Sequence, residues 1–383
     1  MTPYLEIDKL NLLYLCHKYF RMGKFSFILF LFSLTVFGQK NGDTNALEVS
    51  FLHGNVIPHT KDLYHLQGHA DGLMLSFIKQ THGKDEWHSA YNFPDYGVYL
   101  EYQNYNNDFL GKVYAAGVLY NFYFFNRSLE LKIAQGVGYA TNPYNKVENS
   151  KNKAFGSTLM GNTIFGLFYK KERLIDKLGL QAGLLFTHFS NGRTKSPNSG
   201  INTFFLNVGV NYDFSKNTTR TLDTAAVKKD FSEPLKYNFV LRSGSNESPV
   251  IGSGQHPFYH ASFFVDKRFN RKSALQLGTE LFLTNSFKDF IKYKANAYPE
   301  LNIDPNTDFK RIGLFVGYEL FVNKISLEAQ VGYYVYRPFV NDIALYDRVG
   351  FKYHFTPKIF TSFSVKTHMF LAEALEFGVG VRL

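Results

Sequence analysis

His188 and Ser190 stand two residues apart in Phe186-Thr187-His188-Phe189-Ser190-Asn191-Gly192, and a second polar cluster, Pro197-Asn198-Ser199-Gly200-Ile201-Asn202, follows closely. An imidazole beside a hydroxyl can take its proton and make the serine a nucleophile towards an ester. The amide oxygen of Asn202 would orient that imidazole, and amide donors near Asn191 and Gly192 would stabilise the oxyanion. Such chemistry needs no metal and no cofactor. Spacing alone leaves a second reading open, because His-x-Ser arises often by chance. In that reading the pair are polar side chains at the headgroup level of a bilayer.

Strands must position these residues. Side chains two apart on a strand share a face. A strand over 178–190 therefore points Leu180, Ala182, Leu184, Phe186, His188 and Ser190 one way, and Gly179, Gln181, Gly183 and Thr187 the other. On the next strand Asn202 heads the face of Phe204, Leu206, Val208 and Val210, opposite Asn207, Gly209, Asn211 and Asp213. The apolar faces suit lipid and the polar ones a barrel lumen. His188, Ser190 and Asn202 thus emerge together on an outer wall near the loop end. Unpaired polar groups facing a bilayer cost energy, so the placement asks for a role.

The rest of the chain has the same pattern. It has 383 residues, including 40 Phe and 26 Tyr, with 19% charged. No apolar run reaches the roughly 20 residues of a spanning helix, which excludes a helical membrane protein. So aromatic a composition also excludes a disordered chain. Segments of about ten residues alternate apolar with small or polar residues, the signature of barrel strands. The expected strands are 47–52, 72–78, 96–102, 112–124, 129–140, 158–169, 178–190 and 202–214. A second set is 237–242, 258–267, 274–283, 311–321, 325–336, 345–355, 359–368 and 373–383. The fold class is all-β, a transmembrane antiparallel β-barrel protein of about sixteen strands in two eight-stranded units. These close as one wide barrel or as two narrow ones.

Connections alternate in length, as outer-membrane barrels require. Asn126-Arg127, Asn270-Arg271, Asn323-Lys324 and Thr356-Pro357 are short turns, while 141–157, 191–201, 243–257 and 284–310 are longer loops. The halves also resemble each other. Asn126-Arg127-Ser128-Leu129-Glu130 matches Asn323-Lys324 and Ser326-Leu327-Glu328, Thr187-His188 matches Thr367-His368, and Val208-Gly209-Val210 matches Val379-Gly380-Val381. Duplication of one unit is the expectation, set against chance similarity among barrel strands. The expected divisions are an N-terminal extension and signal peptide (1–38), a first unit (39–214), a linker (215–236) and a second unit (237–383).

Residues 25–37 form an apolar run preceded by Arg21 and Lys24 and followed by Gly38, which reads as an export signal starting at Met22. Cys16, the sole cysteine, precedes it. Disulfides, thiolate catalysis and lipoprotein anchoring are then closed to the exported chain. Lys and Arg number 42 against 32 Asp and Glu, a net charge of +10. The basic residues are scattered singly, unlike a nucleic-acid-binding stripe, so anionic membrane lipid is the expected partner and nucleic acid is not. His53, His59, His65 and His69 crowd an early loop. Their irregular spacing favours a solvated loop over a metal site.

The His-Phe-Ser-Asn-Gly run and the Pro-Asn-x-Gly-Ile turn, in an eight-stranded context over 46–214, resemble the lipid A 3-O-deacylase family, outer-membrane barrels also labelled acyloxyacyl hydrolases. The resemblance implies that His188 is the general base, Ser190 the nucleophile and Asn191 part of the oxyanion hole. The family's catalytic glutamate is replaced here by Asn202. An amide can fix the imidazole's tautomer but cannot stabilise imidazolium by charge, so slower turnover, or none, is implied. In the second unit Glu373 aligns with the acid, on the apolar face of Leu375, Phe377, Val379 and Val381, while Phe370 replaces the serine and His368 points to the lumen with Lys366, Ser364 and Ser362. No second active site is expected. The expected function is a serine esterase of a Gram-negative-type outer membrane that removes an ester-linked acyl chain from lipid A or a related lipid, with Arg193 and Lys195 holding lipid phosphates. The alternative is a non-catalytic barrel: a porin-like channel if one wide cylinder closes, or a structural protein if two narrow ones do. The sequence leaves the oligomeric state open.

Overall fold

The computed structural model describes residues 44–215, 231–369 and 371–383. The expected export signal, most of the expected linker and Phe370 lie outside those residues. Eight antiparallel strands form the first barrel: β1 (Thr44–Val56), β2 (His69–Gln80), β3 (Asp95–Asn104), β4 (Lys112–Phe124), β5 (Leu129–Ala140), β6 (Leu159–Ile175), β7 (Leu178–Ser190) and β8 (Ile201–Asp213). It closes where β1 pairs with β8 as well as β2. The second barrel comprises β9 (Lys236–Glu247), β10 (Gln255–Arg268), β11 (Ser273–Thr284), β12 (Arg311–Val322), β13 (Ile325–Tyr336), β14 (Leu345–His354), β15 (Ile359–His368) and β16 (Leu371–Arg382). Pairing of β9 with β10 and β16 closes it.

Two narrow cylinders therefore form, and the wide channel is set aside. An eight-stranded interior is just wide enough for side chains to fill it. In the first barrel the apolar cluster of Leu52, Tyr99, Ile164, Leu185, Phe189 and Phe205 fills part of that space. Beside it Lys132 Nζ meets Glu48 at 2.7 Å and Lys170 Nζ meets Glu130 at 2.8 Å, with Lys170 also contacting Glu48. The second interior is more ionic. Arg348 reaches Glu376 and Glu280, each at 2.6 Å, while Lys352 reaches Glu319 at 2.8 Å and Glu328 at 2.9 Å. Charges removed from water need such partners.

Outside, the alternation leaves apolar side chains uncovered: Leu206, Val208, Leu277, Val316 and Val379 are each about 60% exposed. Water would penalise so continuous an apolar wall, and a bilayer would not. Among the described residues no helix is long and apolar enough to cross a membrane. The helix Ser286–Ala297 lies instead in the β11–β12 connection, where Phe287, Phe290 and Ile291 pack with Phe339.

Strands β4, β5, β7, β13 and β15 begin and end where their alternation predicts. Others run longer. The expected loop at 243 is still strand, because β9 pairs with β10 through Glu247↔Gln255. Ser243-Gly244-Ser245-Asn246 reads as turn chemistry, but a backbone ladder needs no apolar side chains. His53 and His69 likewise belong to β1 and β2, not to a loop. At the short-turn end the barrels touch: Arg271 Nη1 meets Glu86 Oε2 at 2.9 Å, and the Tyr91 hydroxyl donates to the Phe321 carbonyl at 2.6 Å.

Candidate active site

The β7–β8 ladder places His188 directly opposite Asn202. Their side chains share the outer wall, and His188 Nδ1 lies 2.6 Å from Asn202 Oδ1. With the proton on Nδ1, His188 donates to the amide oxygen and leaves Nε2 as a free base. The other half of the amide is also engaged, since Asn202 Nδ2 lies 3.1 Å from His59 Nδ1. A chain of three side chains results, in which each amide atom has one partner and the amide cannot flip without losing both.

Ser190 follows on the same face, at the end of β7. Its Oγ accepts from the Gly192 N–H at 3.1 Å and from Asn198 Nδ2 at 2.8 Å. Asn198 Oδ1 in turn accepts from the Asn191 N–H at 2.9 Å, which fixes which end of that amide faces the serine. Both contacts to Oγ are donors, so the hydroxyl's own proton is left to give away. Gly200, at φ +69°, closes the loop between the two polar side chains. A Cβ there would lie 3.0 Å from His188 Cε1 and 3.4 Å from Ser190 Cβ, so glycine keeps this gap open. Among the described residues no hydrogen bond joins His188 Nε2 to Ser190 Oγ. The two face a common space on one wall.

The two expected oxyanion donors differ. Gly192 directs its N–H at Ser190, whereas the Asn191 N–H is taken by Asn198. The Asn191 side chain is turned away, with Nδ2 donating to Ser157 Oγ at 3.0 Å and to the Lys195 carbonyl at 2.9 Å. Arg193 is half-buried and Lys195 exposed in the same loop, and among the described residues neither forms an ion pair. Two contributors escaped the sequence reading. Asn198 stood in a recognised turn, but spacing could not say where its amide pointed. His59 lies on the β1–β2 connection, 143 residues from Asn202 in the chain.

The second barrel corrects one expectation. Glu373 does not share the outer face of Leu375 and Phe377: it is buried inside. A register shift separates Lys366↔Ala374 from Thr367↔Ala372, so Glu373 is an extra residue turned to the lumen. There Arg311 Nη1 donates to it at 2.9 Å and Lys366 Nζ lies 2.9 Å away, with His368 at 3.3 Å. Asp342 lies within reach of His368 and Glu373, the one group of potential metal-ligating side chains among the described residues. Two cations already neutralise its glutamate, which suits an ion-pair network better than a metal. The early histidines take separate partners: His53 bonds Asp71 at 2.7 Å, His65 the Lys151 carbonyl at 2.7 Å, and His59 Asn202.

Comparison with known proteins gives two family matches. A model described as lipid A 3-O-deacylase (PagL) matches residues 71–211, and one described as acyloxyacyl hydrolase, C-terminal domain, matches residues 235–383. No curated protein matches. Among solved structures, Neisserial surface protein A is 14% identical, with 45% of this chain and 100% of that one covered and a TM-score of 0.29. The toluene transporter TodX of Pseudomonas putida is 10% identical, covering 90% and 88%, with a TM-score of 0.17. A porin mutant of Rh. blastica is 12% identical, covering 89% and 99%, with a TM-score of 0.18. Likenesses this distant say nothing of chemistry.

Proposed function

The chain belongs to the lipid A 3-O-deacylase family, and from that premise we propose that it is an exported outer-membrane serine esterase that removes an ester-linked acyl chain from lipid A or a closely related lipid. The observation that carries this is the hydrogen bond between His188 and Asn202 on the apolar outer wall, with the proton of Ser190 uncommitted on the same face. A lipid ester presented from the side would meet the serine without leaving the membrane.

In the proposed reaction Ser190 Oγ attacks the acyl carbonyl as its proton passes to His188 Nε2. The Gly192 N–H, already aimed at Oγ, supports the developing oxyanion. Collapse expels the sugar alkoxide, which takes the proton from His188, and leaves an acyl ester on Ser190. Water, deprotonated by the same imidazole, then releases the fatty acid and restores the serine. Asn202 keeps the proton on Nδ1 throughout but supplies no charge to the imidazolium, which sets a slower rate than a carboxylate would. Arg193 and Lys195 lie in the loop beside the serine, where lipid phosphates would sit, and reversing both charges should weaken lipid binding.

The deciding experiment expresses the wild type, Ser190→Ala and His188→Ala in an outer membrane and weighs the lipid A by mass spectrometry. Loss of one acyl chain with the wild type alone supports the enzyme. Unchanged lipid beside a correctly assembled wild type would leave a non-catalytic barrel.

A further inference from the structure

We propose that the second barrel is a scaffold that sets the catalytic loop of the first, with Glu247 as the positioning residue; this rests on the esterase reading above. At the loop end, contacts between the barrels converge on residues 192–196, the segment between Ser190 and Asn202. Glu247 is buried, with no ion pair among the described residues. Its Oε2 accepts from the Ser196 N–H at 2.7 Å and its Oε1 from the Gly254 N–H at 3.2 Å, so one carboxylate ties the two barrels' loops together. Its backbone N–H donates to the Arg193 carbonyl at 3.0 Å. Ser196 Oγ donates to the Ser248 carbonyl at 2.8 Å, and Gln255 Nε2 to the Thr194 carbonyl at 2.6 Å.

Those bonds reach the serine in few steps. The Lys195 carbonyl, next to Ser196, holds the Asn191 side chain, and the Asn191 N–H holds Asn198, whose Nδ2 donates to Ser190 Oγ. The second barrel also touches the oxyanion donor itself. A Cβ on Gly192 would lie 2.8 Å from Leu375 Cβ of β16, so β16 backs the residue whose N–H points at Ser190. A carboxylate removed from water is a costly way to hold two cylinders side by side, and apolar packing would do that more cheaply. Its bonds to loop amides instead fix backbone geometry, which is what a preorganised oxyanion site needs.

The test compares the wild type with Glu247→Ala, Glu247→Gln and Gln255→Ala as full chains in lipid A-containing proteoliposomes. It reads kcat and KM for fatty-acid release and the rate at which a fluorophosphonate labels Ser190. Glu247→Ala should lower kcat and labelling roughly tenfold, the weight of one charge-assisted hydrogen bond, with KM nearly constant. Glu247→Gln keeps an oxygen for the Ser196 N–H and should recover most of the loss, while Gln255→Ala should show a milder drop of the same kind. Arg271→Ala, which cuts the contact at the opposite end, should match the wild type. Wild-type kcat and labelling in Glu247→Ala, or a loss borne by KM alone, would overturn the proposal. If Glu247→Ala does not assemble, the other two variants decide it in the same way. A wild type that neither labels nor deacylates refutes the esterase itself, a separate outcome.

Discussion

The two barrels have the same number of strands and the same closure, yet they carry the same dipeptide in opposite orientations. On β7 Thr187 is buried in the lumen and His188 looks out, whereas on β15 Thr367 is half-exposed and His368 is buried. Strand side chains alternate, so a shift of one residue sends a histidine from one face to the other. In the first barrel the imidazole meets Asn202 and shares a wall with a serine. In the second it joins Tyr334, Glu373 and Lys366 in a closed ionic interior. Two barrels of the same strand number and closure can thus differ in which face carries the histidine, and only the first exposes it beside a serine.

The sharpest test of that contrast is a pair of equivalent substitutions. His188→Ala removes the proposed general base and should lower deacylation roughly 10^3-fold, within the range that positioned proton transfer supplies. His368→Ala should leave the rate per folded molecule within about twofold. Both are measured as fatty-acid release by purified protein. Equal loss from both would mean that the second barrel takes part in the chemistry and would break the comparison.

The interiors differ too, and stability should follow. Arg348 serves two buried glutamates at once, so Arg348→Met weakens both together, leaving Glu280 to Arg242 at 3.3 Å and Glu376 to His260 at 2.7 Å, and should cost about 3 kcal/mol. In the first barrel Lys132→Met leaves Glu48 with Lys170, and its cost should be smaller. Urea titration in detergent micelles measures both. The reverse order would mean that the ionic interior of the second barrel is dispensable.

Period-two alternation made most of this legible in the sequence. It placed His188, Ser190 and Asn202 on one wall, and it set both ends of β4, β5 and β7. The turns at Asn126-Arg127 and Asn323 were marked by residues that tolerate positive φ, and both sites adopt it. Alternation fails where a strand carries an extra residue, which is why Glu373 was assigned to the wrong face. It also cannot say which distant loop comes back to a site. His59 to Asn202 and Glu247 to Ser196 are contacts made by barrel closure and by the packing of one barrel on the other, and neither leaves a local pattern.

Restoring charge behind the imidazole separates the barrels further. Asn202→Glu puts a carboxylate opposite His188, where it can stabilise the imidazolium formed as Ser190 attacks. The deacylation rate should rise roughly tenfold, about one charge-assisted hydrogen bond in the transition state. No change, or a fall, would show that Asn202 does not occupy the acid's place.

The smallest effect tests the part of the site that the sequence hid. In the present protein His59 Nδ1 accepts a hydrogen bond from Asn202 Nδ2 and so keeps the amide oxygen towards His188. His59→Ala removes one neutral hydrogen bond worth about 1 kcal/mol, so the rate should fall about fivefold. The same substitution made on Asn202→Glu should behave differently, because a carboxylate has no N–H to offer and needs no neighbour to stop it flipping. A double-mutant cycle of fatty-acid release rates should therefore show coupling between positions 59 and 202. Additive effects would mean that His59 acts on the lipid or the loop, and that orientation of the amide is set by His188 alone.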